Sequence, residues 1–403
     1  MQVALDLSPQ EASNIGTEPQ PRRSVIELRD VSKHYKDAGA PIVDRLTLSI
    51  SEGEFVALTG PSGCGKTTTL KMINRLIEPS SGQIIINGQD VGDLPSHRLR
   101  QGIGYVIQNV GLFPHMTIAD NVAAVPRLLG WKKDRMTPRI DELLSMVGLE
   151  PSIYRDRYPR ELSGGQAQRV GVARALAADP PILLMDEPFA AVDPITRTSL
   201  QDEFLRLQQS IRKTIVFVTH DMAEAMRLAD RVVIFGPQSK IAQVGAPTEV
   251  LSAPADAFVA SMLGSGRLMQ LLSCVRLRDV SLDRWPTLAQ GLEGDERLAA
   301  LSSAKIEGKN RVLVLDDAKK PLYWIYSDAT GESSKVEVDC KLELDTTSLR
   351  DAITQIVYCS HDCAVVVDDD GAFQGIINIQ GIRRSLAPLA GAGTSAANIG
   401  ADK

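Results

Sequence analysis

The feature that most limits what this 403-residue chain can become is one octapeptide, Gly60-Pro61-Ser62-Gly63-Cys64-Gly65-Lys66-Thr67. It fits the pattern G-x-x-x-x-G-K-[ST] and lies between an apolar run, Phe55-Val56-Ala57-Leu58, and a helical pattern from Thr67 onward. Glycines at these places let the backbone wrap closely around phosphate oxygens, with the N–H groups of a helix N-terminus behind them. Lys66 is placed to reach β- and γ-phosphates, and the Thr67 hydroxyl to hold Mg²⁺. A plain glycine-rich turn would not need a strand before it and a helix after it. The expected ligands are therefore a nucleoside triphosphate and Mg²⁺.

Other short apolar runs, Ile182-Leu183-Leu184-Met185, Ile215-Val216-Phe217-Val218 and Val232-Val233-Ile234-Phe235, alternate with helical patterns. Nearly continuous apolar strands separated by helices predict an α/β fold around a buried, largely parallel sheet. The run from Ile182 ends in Asp186-Glu187, which delivers two carboxylates together to the sheet edge where α/β ligands bind. Asp186 is then available to a metal, and Glu187 is free to polarise water as a general base. Leu162-Ser163-Gly164-Gly165-Gln166 precedes another helical run and offers a second anion-binding helix end. One chain thus carries two phosphate-binding ends.

Lys plus Arg number 44 and Asp plus Glu 50, a formal charge of −6, which argues against a globally basic nucleic-acid binder. No apolar stretch reaches the roughly 18 to 20 residues of a membrane span. Residues 1–24 are polar and aperiodic and read as a disordered leader without signal-peptide character. Five scattered cysteines argue against a disulfide framework and fit a reducing cytoplasm. Cys359, His361 and Cys363 lie close together, but they lack a fourth donor and straddle a helix-to-strand junction, which argues against zinc.

Gly264-Ser265-Gly266 breaks the α/β pattern. Beyond it, Val312-Leu313-Val314-Leu315-Asp316-Asp317 matches Ala364-Val365-Val366-Val367-Asp368-Asp369 at an offset of 52 residues, with a further strand after each copy. Before the second copy, Leu349, Ala352, Ile353, Ile356 and Val357 recur on one helical face, opened by a capping box of Ser348 and Asp351. Residues 387–403, rich in Ala, Gly and Ser, read as a flexible tail.

Taken together, residues 25–263 resemble the ATP-binding subunit of ABC transporters, a P-loop NTPase. Leu162 to Gln166 looks like the LSGGQ signature, Gln108 like the Q-loop glutamine, His220 like the switch histidine, Asp193 like the D-loop aspartate, and Tyr35 like the aromatic that stacks on adenine. The D-loop departs from the commoner pattern in having Val192 before the aspartate. The resemblance implies that Glu187, His220, Lys66 and Gln108 serve catalysis. Thr67, Gln108 and Asp186 would serve the metal. Nucleotide would be held by Tyr35, by Gly60, Pro61, Ser62, Gly63, Cys64, Gly65, Lys66, Thr67 and Thr68, and by Ser163, Gly164, Gly165, Gln166 and Asp193. It also implies a head-to-tail homodimer in which each ATP lies between one subunit's P-loop and the other's Ser163, Gly164 and Gly165.

The stretches Gly104 to Ile118 and Val125 to Trp131 are similar to those of osmoprotectant importers for glycine betaine, choline, carnitine or proline. The C-terminal part resembles a tandem pair of CBS domains, divergent over 267–331 and clearer over 332–386. Asn378-Ile379-Gln380-Gly381 lacks the Asp that nucleotide-binding CBS pairs place after the last strand. The expectation is an ATPase at the cytoplasmic face of the membrane, working with separate permease subunits and indirectly with a solute-binding protein, without nucleic acid. An importer of another small solute is the alternative. A soluble non-transport ABC ATPase would need a coiled-coil insertion or a second cassette.

Overall fold

A computed structural model describes residues 23–35, 39–108, 111–190, 192, 194–291, 311–327 and 333–391. Asp193, residues 1–22 of the expected leader and residues 392–403 of the expected tail lie outside them. The central sheet has six strands in the order Ile241–Gly245, Arg231–Phe235, Phe55–Thr59, Thr214–Val218, Ile182–Asp186 and Ile103–Val106. All neighbours are parallel except the edge strand Ile241–Gly245.

The continuous apolar runs follow from burial on both faces. Phe55, Ala57, Leu183, Met185, Ile215 and Phe217 face one core, while Val56, Leu58, Ile182, Leu184, Val216 and Val218 face the other. This is the period-two alternation of a strand with both sides covered. The second core is closed by an antiparallel sheet in which Ser24–Lys33 pairs with Val43–Ser51 and Ser81–Ile86, and by the helix Lys66–Ile73. The first is closed by the helices Ile118–Leu128, Lys133–Met146, Gly164–Leu176 and Pro194–Ile211. Phe204 and Phe55, 5.8 Å apart, stack edge to face in that layer, and Phe189 meets Phe204 and Phe217 at 6.2 and 5.9 Å.

The apolar core does not stop at the Gly264 turn. Helix Arg267–Cys274 seats Leu271 and Leu272 in the same core as Met226, Val250 and Leu251, and Leu277, Leu349, Ala352 and Ile356 continue it. The strands Arg311–Leu315 and Cys363–Val367 repeat one design. Each pairs antiparallel with the strand that follows it (Pro321–Ser327 and Phe373–Asn378), with an irregularity at the same place, Val314/Leu315 and Val366/Val367. Each also takes a short parallel strand on its other side, Thr287–Ala289 and Lys341–Glu343. Asp316 and Asp368 close equivalent turns, their backbone N–H groups donating to the carbonyls of Lys320 and Ala372 respectively, at 3.0 Å each. The strand Cys363–Val367 works on two sides. Ala364 and Val366 face the large core, whereas Val365 and Val367 pack with Leu313 and Trp324 of the first copy.

Helix Leu349–Tyr358 is capped by Ser348, whose hydroxyl accepts from the Asp351 N–H at 3.2 Å. Its buried stripe is shorter than its apolar periodicity: Leu349, Ala352 and Ile356 are buried, but Val357 is 63% exposed, one residue before the helix ends. Asn378 accepts from the Gly381 N–H at 2.7 Å and so closes the first turn of the last helix, Ile379–Gly391. That helix runs through residues 387–391, where composition suggested a tail, consistent with the high helix propensity of Ala and Leu. His361 pairs with Asp339 at 3.1 Å, Cys363 accepts from Arg311 at 2.8 Å, and Cys359 donates to the Gln355 carbonyl at 3.0 Å. The three therefore serve separate partners, and among the described residues no group of His, Cys, Asp and Glu side chains suits a metal ion.

Truncating Phe204, which is 4% exposed, leaves a cavity beneath the strand Phe55–Thr59. Phe204→Ala should cost about 3 to 5 kcal/mol, measured by denaturant unfolding of the full chain. A cost under about 1 kcal/mol would show that this aromatic layer repacks freely.

Candidate functional site

Parallel register brings the site together. Leu58 lies opposite Val218, and Val218 opposite Asp186, so three strands end at one level. The loop after Thr59, the pair Asp186-Glu187 and the pair Thr219-His220 consequently leave the sheet at the same edge.

The loop Gly60 to Gly65 fits a phosphate cradle by what it excludes. Gly60 (φ 149°) and Gly65 (φ 105°) adopt conformations that other residues resist. A side chain on Gly60 would run into the Phe235 carbonyl oxygen, and one on Gly65 into the Ser239 hydroxyl and the Ile42 carbonyl. Ser239 itself donates to the Cys64 carbonyl at 2.7 Å, fixing the loop from outside. Buried Lys66 folds its ammonium onto the carbonyls of Gly60 and Pro61, at 2.7 and 2.9 Å. Phosphate oxygens can replace those carbonyl acceptors with the same donor geometry. Burial pushes the Cys64 thiol up, against the pull of nearby Lys66, so this cysteine is a packed thiol rather than a nucleophile.

Thr67 donates its hydroxyl proton to Asp186 Oδ1 at 2.9 Å, and Asp186 is 5% exposed. Burial raises the Asp186 carboxyl, opposed by the Thr67 bond and the charges of Lys71 and Lys66 and reinforced by Glu187. The same burial, with the Asp186 charge, pushes the Tyr105 phenol up to about 12. A hydroxyl and a buried carboxylate side by side are the oxygen donors a hard cation such as Mg²⁺ prefers, so the residues fit that ion.

Glu187 is held at both carboxylate oxygens. Gln108 Nε2 donates to Oε2 at 3.1 Å, and His220 Nδ1 lies 3.1 Å from Oε1. Its backbone N–H donates to the Val218 carbonyl at 2.9 Å, and its φ of 45° turns the chain sharply off the strand. Gln108, expected among both the catalytic and the metal residues, places its amide nitrogen on Glu187, next in the chain to Asp186. Phe189, two residues on and 1% exposed, packs against Phe204 and Phe217.

Ser163 starts the helix Gly164–Leu176 with a reciprocal capping box: its hydroxyl accepts from the Gln166 N–H at 3.3 Å, and its own N–H donates to Gln166 Oε1 at 3.0 Å. Gln166 Nε2 also donates to the Tyr154 hydroxyl at 3.1 Å, so the glutamine braces this helix end. Ser163 and Gly164 are exposed. Tyr35 is 40% exposed, with Lys33 Nζ 5.3 Å from its ring centre. Thr68 follows Thr67 in the first turn of the P-loop helix.

Glu224 and Arg197, which line one cavity with Glu187, and Gln201, bonded to Glu224, escaped the sequence reading. Glu224 sits four residues after His220, on the helix Met222–Leu228 that Asp221 caps. That spacing was the available signal.

Because Gly65 has no room for a Cβ, Gly65→Ala should lower ATP affinity at least about tenfold, read by fluorescent-nucleotide titration. Wild-type affinity would show that the loop reshapes at little cost.

A sequence profile described as "ABC transporter" matches residues 43–190. The choline transport ATP-binding protein OpuBA of Bacillus subtilis is 45% identical over 88% of this chain and 94% of that protein. The osmoprotectant import ATP-binding protein OsmV of Salmonella typhimurium is 42% identical, again over 88% and 94%. The dimeric post-hydrolysis structure of the ATP-binding cassette MJ0796, bound to ADP and Pi, is 34% identical and superposes with a TM-score of 0.50, covering 55% of this chain and 98% of that one. The chain therefore belongs to the ATP-binding subunits of ABC transporters, ATPases that couple ATP hydrolysis to transport.

Proposed function

We propose that this chain is the ATPase of an importer for a quaternary-amine osmoprotectant such as glycine betaine, choline or carnitine. The observation that carries this reading is the extent of the match. The MJ0796 cassette covers 55% of the chain, whereas OpuBA and OsmV match 88%, which takes in much of the region after Gly264. Among the described residues no helix is long and apolar enough to cross a membrane, so the solute path would belong to separate permease subunits, fed by a solute-binding protein. The chain would sit peripherally at the cytoplasmic face. In this reading the repeated units of 267–331 and 332–386 are a CBS pair with a controlling role.

Within the site, Lys66 and the loop N–H groups would hold the β- and γ-phosphates, and Tyr35 would stack on adenine. Thr67 and Asp186 would hold Mg²⁺, which supplies charge neutralisation of the phosphates when bound. Glu187 would take a proton from the attacking water, with Gln108 and His220 orienting its carboxylate. The exposed Ser163 and Gly164, with Gly165 buried behind them, would close on the γ-phosphate of a second copy's nucleotide. Asp193 would join that interface, although it lies outside the described residues.

Glu187→Gln should bind MgATP normally yet hydrolyse it about 10²- to 10⁴-fold more slowly, and should accumulate as an ATP-bound dimer on size-exclusion chromatography. Near-wild-type turnover would remove Glu187 from the base role. Vesicles reconstituted with the cognate permease should take up radiolabelled glycine betaine or choline on ATP addition. Uptake confined to an amino acid or another small polar solute would favour the alternative importer.

A further inference from the structure

The reading above leaves the buried carboxylate of Glu224 unused. Glu224 is 7% exposed, and a charge held there requires partners. Its Oε2 accepts from the Thr219 hydroxyl at 2.7 Å, and its Oε1 accepts from Gln201 Nε2 at 3.1 Å. Arg197 Nε stands 3.9 Å from the same Oε1, while Arg197 Nη2 donates to the Val192 carbonyl at 3.0 Å. Thr219 Oγ1 in turn accepts from the Asp221 N–H at 3.0 Å, which tightens the turn that presents His220.

These bonds join two segments that flank the candidate base. One leaves Glu187, runs through Phe189 and Val192, and enters the helix Pro194–Ile211 that carries Arg197 and Gln201. The other carries Thr219 and His220, and His220 itself touches Glu187. Between them lies a cavity of about 50 Å³ whose walls include Glu187, Arg197, Thr219, His220 and Glu224. That space is large enough for a water molecule in polar surroundings. Burial pushes the Glu224 carboxyl up, opposed by the Thr219 bond and the charges of Arg197 and His220, with Asp221 adding to the rise. Thr219, Gln201 and Arg197, its polar partners, lie on the two flanking segments rather than on the phosphate loop.

We propose that Glu224 is a positioning residue for ATP hydrolysis: it fixes the spacing between the His220 turn and the segment after Glu187, and so sets where the base and the histidine meet the attacking water. This rests on the reading of Glu187 as the base. Small displacements of reacting groups are costly, with about 1 Å able to cost roughly 100-fold in rate. Binding of nucleotide to the phosphate loop should be indifferent to Glu224.

The test uses the full-length chain with Glu224→Ala, Glu224→Gln and Thr219→Val, each assayed for kcat, for MgATP affinity by fluorescent-nucleotide titration and for thermal stability. Glu224→Ala should lose about 10- to 100-fold in kcat while MgATP affinity stays within about twofold. Glu224→Gln keeps an oxygen that can accept from Thr219, and should recover to within about fivefold of wild type. Thr219→Val, which severs the same link from the other side, should fall with Glu224→Ala, and it decides the matter if that variant does not fold. A kcat within twofold of wild type for both Glu224→Ala and Thr219→Val would overturn the proposal, as would MgATP affinity falling in step with kcat. Glu187→Gln assayed alongside separates the two readings. Wild-type turnover there removes the base, whereas wild-type turnover by Glu224→Ala beside a slow Glu187→Gln removes only the positioning role.

Discussion

The structure depends on the register of its buried parallel strands. Because Phe55–Thr59, Thr214–Val218 and Ile182–Asp186 are covered on both faces and end level, whatever follows each strand emerges at one edge. A slip of one residue would exchange every side chain between the two cores and move Asp186 away from Thr67. The two-sided packing that stabilises the sheet is therefore also what assembles the site. The loop glycines need this framework, since Gly60 and Gly65 fit only against fixed carbonyls of Phe235 and Ile42.

The second theme is how firmly Glu187 is held. Its two oxygens meet a glutamine from the segment after Ile103–Val106 and a histidine from the segment after Thr214–Val218, so three neighbouring strand ends converge on one carboxylate. A carboxylate held this way has its direction set before nucleotide arrives, which would lower the reorganisation required in the proposed proton transfer. Lys66 is comparably preset, with its ammonium on loop carbonyls. The region after Gly264 joins this framework through packing rather than through the site: Leu271, Leu272, Leu349 and Ile356 extend the core that lies beneath the helices around His220.

Much of this was legible in the sequence because strong local signals coincided. The glycine pattern, the strand before it and the Asp-Glu pair at a strand end each name a place in the fold, and the 52-residue offset reappears as matching pairings and turn bonds. What was not legible depends on three-dimensional company. Gln108 lies 79 residues from Glu187, and nothing in its neighbourhood shows that its amide faces that carboxylate rather than Thr67 and Asp186. Val357 fits an apolar stripe, yet it is exposed while Ile356 beside it is buried, a difference set by which face of the helix meets the core. Glu224 belongs to none of the motifs, and only packing reveals it as a buried link between two loops.

The central claim is that the exposed Ser163 end of one copy completes the phosphate loop of another. Cysteine cross-linking between Ser62→Cys in one copy and Ser163→Cys in a second tests this directly, with Cys274 and Cys359 replaced by Ser to silence the partly exposed native thiols. The account predicts an intermolecular cross-link that forms with MgATP in the Glu187→Gln background and fades without nucleotide. Cross-linking within a single chain, or none at saturating MgATP, would contradict it.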